Sequence, residues 1–136
     1  MNSTNSTGPK SINYPSATIE RASRAMSCSP FQLELFATMQ YKSVALQEIA
    51  GEAGVHNQYS RSLLSEAAAE NALMWQIQVG LLRREVDGQG ITDSFRLTPM
   101  GRQLVEQCRV SGEIAAPTWC DRLYNARDRL LQLPTF

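Results

Sequence analysis

Histidine occurs once in this chain, at His56, and that scarcity removes most acid–base and metal chemistry. A lone histidine at what reads as a turn is a polar turn residue before it is a ligand or a base. The three cysteines, Cys28, Cys108 and Cys120, are too few and too scattered for a disulfide framework. With one histidine they offer no ligand spacing such as C-x2-C. Cys108 and Cys120 sit in helical apolar patterns, where a buried thiol is the expected state. A phosphate-binding glycine loop, a nucleophile elbow and a paired-carboxylate site are all missing. The residues therefore predict no enzyme, no catalytic residue, no metal and no cofactor. Long apolar runs are missing too: none approaches the roughly 18 residues that span a bilayer. The polar amino terminus lacks the apolar centre of a signal peptide, so a cytoplasmic protein without a membrane partner is expected.

Net charge is also absent. Lys and Arg number 13 and Asp and Glu number 13, so the chain as a whole is not drawn to polyanions. Nucleic-acid binding would need arginines segregated onto one face. What the chain does have is a core. Its 136 residues are 43% hydrophobic and 19% charged, ordinary values for one globular domain.

The most informative stretch is residues 80–104, G-L-L-R-R-E-V-D-G-Q-G-I-T-D-S-F-R-L-T-P-M-G-R-Q-L. Residues 82–86 form a short run without helix breakers that stops at Asp87-Gly88-Gln89-Gly90, where two glycines suit a tight hairpin. Residues 92–97 partly alternate, with Phe95 and Leu97 on one face and Arg96 on the other. Thr98-Pro99 then starts a helix, the hydroxyl capping free N–H groups and proline sitting where its own is not needed. Upstream, L-x-E-I-A-x-x-A-G-V at residues 46–55 reads as a short helix closed at Gly54 by a left-handed turn, with Val55 plugging the core.

Together these fragments resemble the winged helix-turn-helix regulators of MarR and PadR type, over residues 45–107. The same region resembles a small cyanobacterial winged-helix family linked to heterocyst differentiation. The resemblance implies a mainly α fold with a small β-hairpin wing, and transcriptional control through DNA. In that likeness Gly80 ends the recognition helix, Arg83, Arg84 and Arg96 are wing residues, and Arg102 follows on the next helix.

Taken in order, residues 1–15 are a polar tail with little to bury and read as disordered. Residues 16–116 carry the winged-helix domain, and residues 117–136 a C-terminal helix. Ser16 is expected to cap a thin amphipathic helix with Ile19, Ala22 and Met26 inward. Ser29-Pro30-Phe31-Gln32 reads as the next helix start, with Ser29 as cap and Phe31, Leu35 and Met39 on its stripe. Between Val55 and Gly80 the chain is longer than in the regulators it resembles. Residues 57–79 favour helix throughout. That implies either one helix of about 35 Å or two with a break near Asn71, the latter preferred.

The polar run Asn57, Gln58, Tyr59, Ser60 and Arg61 is the expected groove-facing tip, since Asn and Gln fit adenine edges and Arg guanine edges. Arg83, Arg84, Arg96 and Arg102 would hold phosphates, with Lys10, Arg21 and Arg24 as an accessory arm. Against this stand Glu48, Glu52, Glu66 and Glu70, which repel phosphates unless they face away.

The last helix should begin with Thr118 and Asp121 as a capping pair. Trp119, Leu123, Ala126, Leu130 and Leu133 then recur at spacings of four, three, four and three, a heptad stripe lined by Arg122, Arg127, Asp128 and Arg129. This stripe is the expected homodimer interface, with packing on its own domain as the alternative. Two functions from different classes follow. One is a dimeric regulator binding double-stranded DNA; the other is a protein-interaction module on the same scaffold, suited by the acidic third helix and an exposed Trp75.

Overall fold

A computed structural model describes residues 13–131. The expected tail falls mostly on residues 1–12, which with Lys10 and Leu133 lie outside the described part. Seven helices and three strands follow in order among the described residues: α1 Ser16–Ser27, α2 Leu33–Met39, β1 Val44–Ala45, α3 Leu46–Ile49, α4 Gly51–His56, α5 Glu66–Gln78, β2 Leu82–Asp87, β3 Gly90–Leu97, α6 Pro99–Ser111 and α7 Trp119–Leu131. The fold is mixed, mainly helical with a small antiparallel sheet of strand order β1-β3-β2.

The expected hairpin is present. Arg84 lies opposite Phe95 and Arg83 opposite Arg96, with a register irregularity between Arg84 and Val86. Beyond the hairpin, Val44 pairs with Phe95 to add the short third strand. The α6 boundaries also follow the sequence. Thr98 Oγ1 accepts the Gly101 N–H at 3.0 Å, Pro99 opens the helix, and Gly112 closes it at φ 89°. Gly101 must be small, because a Cβ there would lie 2.2 Å from the Leu81 carbonyl oxygen. Leu104 and Val105 are buried and Cys108 half-buried, and together they form the helix's inward face.

Four local expectations are overturned, each by a contact distant in sequence or by backbone geometry. Ser16 opens α1, but Pro15 holds the cap position and no side chain caps the helix. Ser29 caps nothing: α2 begins at Leu33 after an extended Gln32. Phe31 instead bridges Ser60, and the Gln32 N–H donates to the Tyr59 carbonyl at 2.9 Å. Phe31 is fully buried, edge-on to Phe36 at 6.3 Å. Burying that ring is worth more than a cap.

Residues 46–55 are not one helix, since α3 and α4 are separated at Ala50, where the backbone is extended. Gly51, not Gly54, takes the left-handed conformation, at φ 66°. Gly54 is needed for closeness, because a Cβ would meet the Ile49 carbonyl oxygen at 1.8 Å. Val55 is exposed, and Tyr59 plugs the core in its place.

The long third helix is also absent. Gln58, at φ 64°, stops the chain from continuing as helix, and residues 57–65 run as turn and extended backbone. Ser65 then caps α5, accepting the Ala68 N–H at 3.1 Å. From there α5 runs through Asn71 without a break. The core joins α2, α3, α5 and the sheet around Leu35, Phe36, Met39, Ile49, Leu73 and Phe95. No helix among the described residues is long and apolar enough to cross a membrane.

Candidate interaction surfaces

The hairpin and α5 form one face. On α5 the core side carries Ala69, Ala72, Leu73 and Gln76, and the opposite ridge exposes Ala67, Asn71, Met74 and Gln78. That ridge recurs at spacings of four, three and four, the helical period. Its spacing is readable in the sequence itself.

Arginines on this face are largely occupied. The Arg84 guanidinium pairs with Glu70 at 3.2 Å and Asp93 at 3.3 Å, and lies 5.0 Å from the centre of the Phe95 ring. Arg96 pairs with Glu85 at 3.1 Å. Arg83, on the same side of the ladder as Arg96, is exposed and has no ion pair among the described residues. Across residues 66–97 three arginines (Arg83, Arg84, Arg96) face five carboxylates (Glu66, Glu70, Glu85, Asp87, Asp93). The segment therefore carries a net charge of −2.

The expected tip does not form. Tyr59 and Ser60 are buried, Tyr59 at 7% exposure. Asn57 donates to the Glu48 carbonyl at 3.1 Å, and Arg61 to the Ser29 carbonyl at 2.9 Å. Gln58 and Arg61 line a cleft with Gln32, Glu34, Gly112 and Glu113, at the C-terminal end of α6. Arg96 precedes the opposite end of that 13-residue helix, roughly 20 Å away. Arg102 donates to the Gln40 carbonyl at 2.8 Å. The structure thus groups Arg83, Arg84 and Arg96 on the hairpin and leaves Arg61 elsewhere. Of the accessory cations, Arg24 is engaged by Asp128, and Arg21 is half-buried on α1.

A second face belongs to α7. Its start is the expected capping pair: the Thr118 N–H donates to Asp121 Oδ2 at 2.9 Å and the Asp121 N–H to Thr118 Oγ1 at 3.0 Å. The backbone N–H of Thr118, and after it a side-chain hydrogen bond from the same residue, hold the Asp121 carboxyl below its ordinary range. The helix then docks on its own domain by its polar side. Asp128 receives Arg24 at 3.0 Å, and Asn125 Oδ1 accepts the Trp75 indole N–H at 2.9 Å. Trp75 is therefore buried, contrary to expectation. Tyr124 lies between two guanidinium groups, Arg24 at 5.4 Å and Arg127 at 5.0 Å from its ring. Burial pushes the Asp128 carboxyl up, but hydrogen bonds from Arg24 and Arg127 outweigh it and leave its pKa lowered.

The apolar stripe points the other way. Trp119 is 77% exposed, Leu130 68% and Leu123 56%, and Ala126 is exposed with them. Asp128 does not line the stripe, since it faces α1. Cys120 is exposed rather than buried, and Cys28 and Cys108 are half-buried free thiols. Burial raises the pKa of both half-buried thiols, which makes them poor nucleophiles at neutral pH.

A family model matches residues 12–129, covering both faces. The chain belongs to the Npun_F0494-like family. Neither a curated protein nor a solved structure matches it. The matched span takes in the hairpin, α5 and α7 as far as residue 129, so Trp119, Leu123 and Ala126 lie within it and Leu130 falls just past its end.

Proposed function

We propose that this member of the Npun_F0494-like family is a winged-helix domain that acts by binding other proteins. The order of α2, β1, α3, α4, α5, β2, β3 and α6, with sheet order β1-β3-β2, supports the winged-helix reading. One observation carries the functional one: α7 is docked by its polar side, with Trp119, Leu123 and Leu130 turned outward. Large apolar side chains in a continuous row mark an interaction site. Covering each is worth roughly 1.5–3 kcal/mol, against an association cost on the order of 4–15 kcal/mol. Contact through α7 alone is therefore weak and reversible, as suits a regulatory partner.

A second reading has support in α5, which exposes the amides of Asn71 and Gln78. Both amides have the donor–acceptor pattern that fits adenine edges, so this ridge, not residues 57–61, would meet a major groove. The negative balance of residues 66–97 opposes it, since duplex affinity comes mainly from phosphate neutralisation. Selection from a random-sequence duplex pool at low salt separates the two. The protein-binding reading expects no retained duplex. Enrichment that Asn71→Ala with Gln78→Ala abolishes would establish DNA binding instead.

A further inference from the structure

We infer that the outward face of α7 seats an amphipathic helix with acidic flanks, contributed by a different protein. This rests on the protein-binding reading and specifies the partner's chemistry. The acids and the arginines of α7 lie on different sides of the helix. Asp121, Asn125 and Asp128 are its half-buried polar residues on the docked side, diametrically across the helix from Trp119, Leu123, Ala126 and Leu130. Both acids are engaged within the chain, Asp128 by Arg24 and Asp121 by Thr118. The three arginines remain beside the stripe, Arg122 and Arg129 along one edge and Arg127 along the other. The Arg122 side chain has no ion pair among the described residues. Arg129 donates to the Asn71 carbonyl at 3.3 Å and has no ion pair among the described residues. Arg127 touches Asp128 at 3.3 Å, yet its side chain stays 60% exposed.

A second copy fits this edge poorly. In heptad terms Leu123 and Leu130 take a positions, Trp119 and Ala126 d positions, Arg122 and Arg129 g, and Arg127 e. Parallel self-pairing sets Arg122 of one copy against Arg127 of the other. Antiparallel self-pairing sets Arg122 against Arg129. Like charges at these flanking positions select against a pairing, and opposite charges select for it. A helix with Glu or Asp at its flanks meets all three arginines favourably. Ala126 also leaves a hollow between Leu123 and Leu130, which a large apolar side chain of the partner fills as a knob.

The test titrates the full chain with two synthetic helical peptides of equal length. Both carry leucine at a and d; one is flanked by glutamate, the other by lysine. Tryptophan emission reports binding, because Trp119 is exposed and Trp75 buried. The glutamate peptide should blue-shift the emission and bind at least about tenfold tighter at low salt, a difference of 1.4 kcal/mol. High salt should narrow the gap. The R122E/R127E/R129E chain, altered only at exposed positions, should reverse the preference. Equal affinity for both peptides, or binding of neither, overturns the assignment. So does a micromolar dimer that Leu123→Glu with Leu130→Glu dissolves while circular dichroism is unchanged. If the peptides fail and no duplex is retained from the pool, only the acidic helix is lost. Retained duplex removes the protein-binding reading itself.

Discussion

Helices α6 and α7 are each 13 residues long, each is opened by a threonine, and each carries one apolar stripe. Yet α6 buries Met100, Leu104 and Val105 in its own core, whereas α7 buries nothing. The difference lies in what the polar side can reach. On α7 the Asp128 and Asn125 groups find Arg24 and Trp75, so the helix is held from behind and its stripe is left over. Amphipathic spacing establishes that a face will be covered, and the distant polar contacts decide what covers it.

The sharpest way to break the contrast is Gly101→Ala. The new Cβ would press on the Leu81 carbonyl at 2.2 Å. Overpacking against backbone should cost about 3 kcal/mol or more, read as a lower urea midpoint. Next, Leu104→Ala should cost about 2–5 kcal/mol in the same assay, as for other buried leucines. By contrast, Leu123→Glu and Leu130→Glu on α7 should each stay within about 0.5 kcal/mol of the parent, as surface changes do. Equal costs on the two helices would mean that the α7 stripe is covered in the free chain.

Between these extremes lies Arg24→Ala. It removes the half-buried partner of Asp128 and should release α7 while the rest stays folded, at about 1 kcal/mol. Hydrogen exchange should report faster α7 amides and unchanged α6 amides. Acid should act similarly. The Asp128 carboxyl is held below its ordinary value, so its contribution is present above an unfolded pKa of about 3.9 and fades as pH falls through the lower folded value. Exchange of α7 amides that shows no acid dependence below pH 4 would contradict the Asp128 anchor.

The hairpin and both ends of α6 were legible because their determinants are adjacent in sequence. Gly88 and Gly90 make the turn, Thr98 and Pro99 start α6, and Gly112 ends it. Residues 57–65 were not legible. Their composition favours helix, but a left-handed Gln58 and the pairing of Phe31 with Ser60, 29 residues away, override it. The groove-facing tip failed with it, because Tyr59 and Ser60 became core. On α7 the stripe and the Thr118–Asp121 cap were readable. That Asp128 points inward was not, since nothing near it in sequence signals Arg24.

The accessibility of Trp119 tests the account most directly. Acrylamide quenching of the full chain, compared with a Trp119→Phe chain, isolates that residue's emission from Trp75. Quenching near that of a free indole at micromolar protein, with protection gained when the glutamate-flanked peptide is added, is the result expected. A Trp119 already shielded without peptide would contradict an outward, unclaimed stripe.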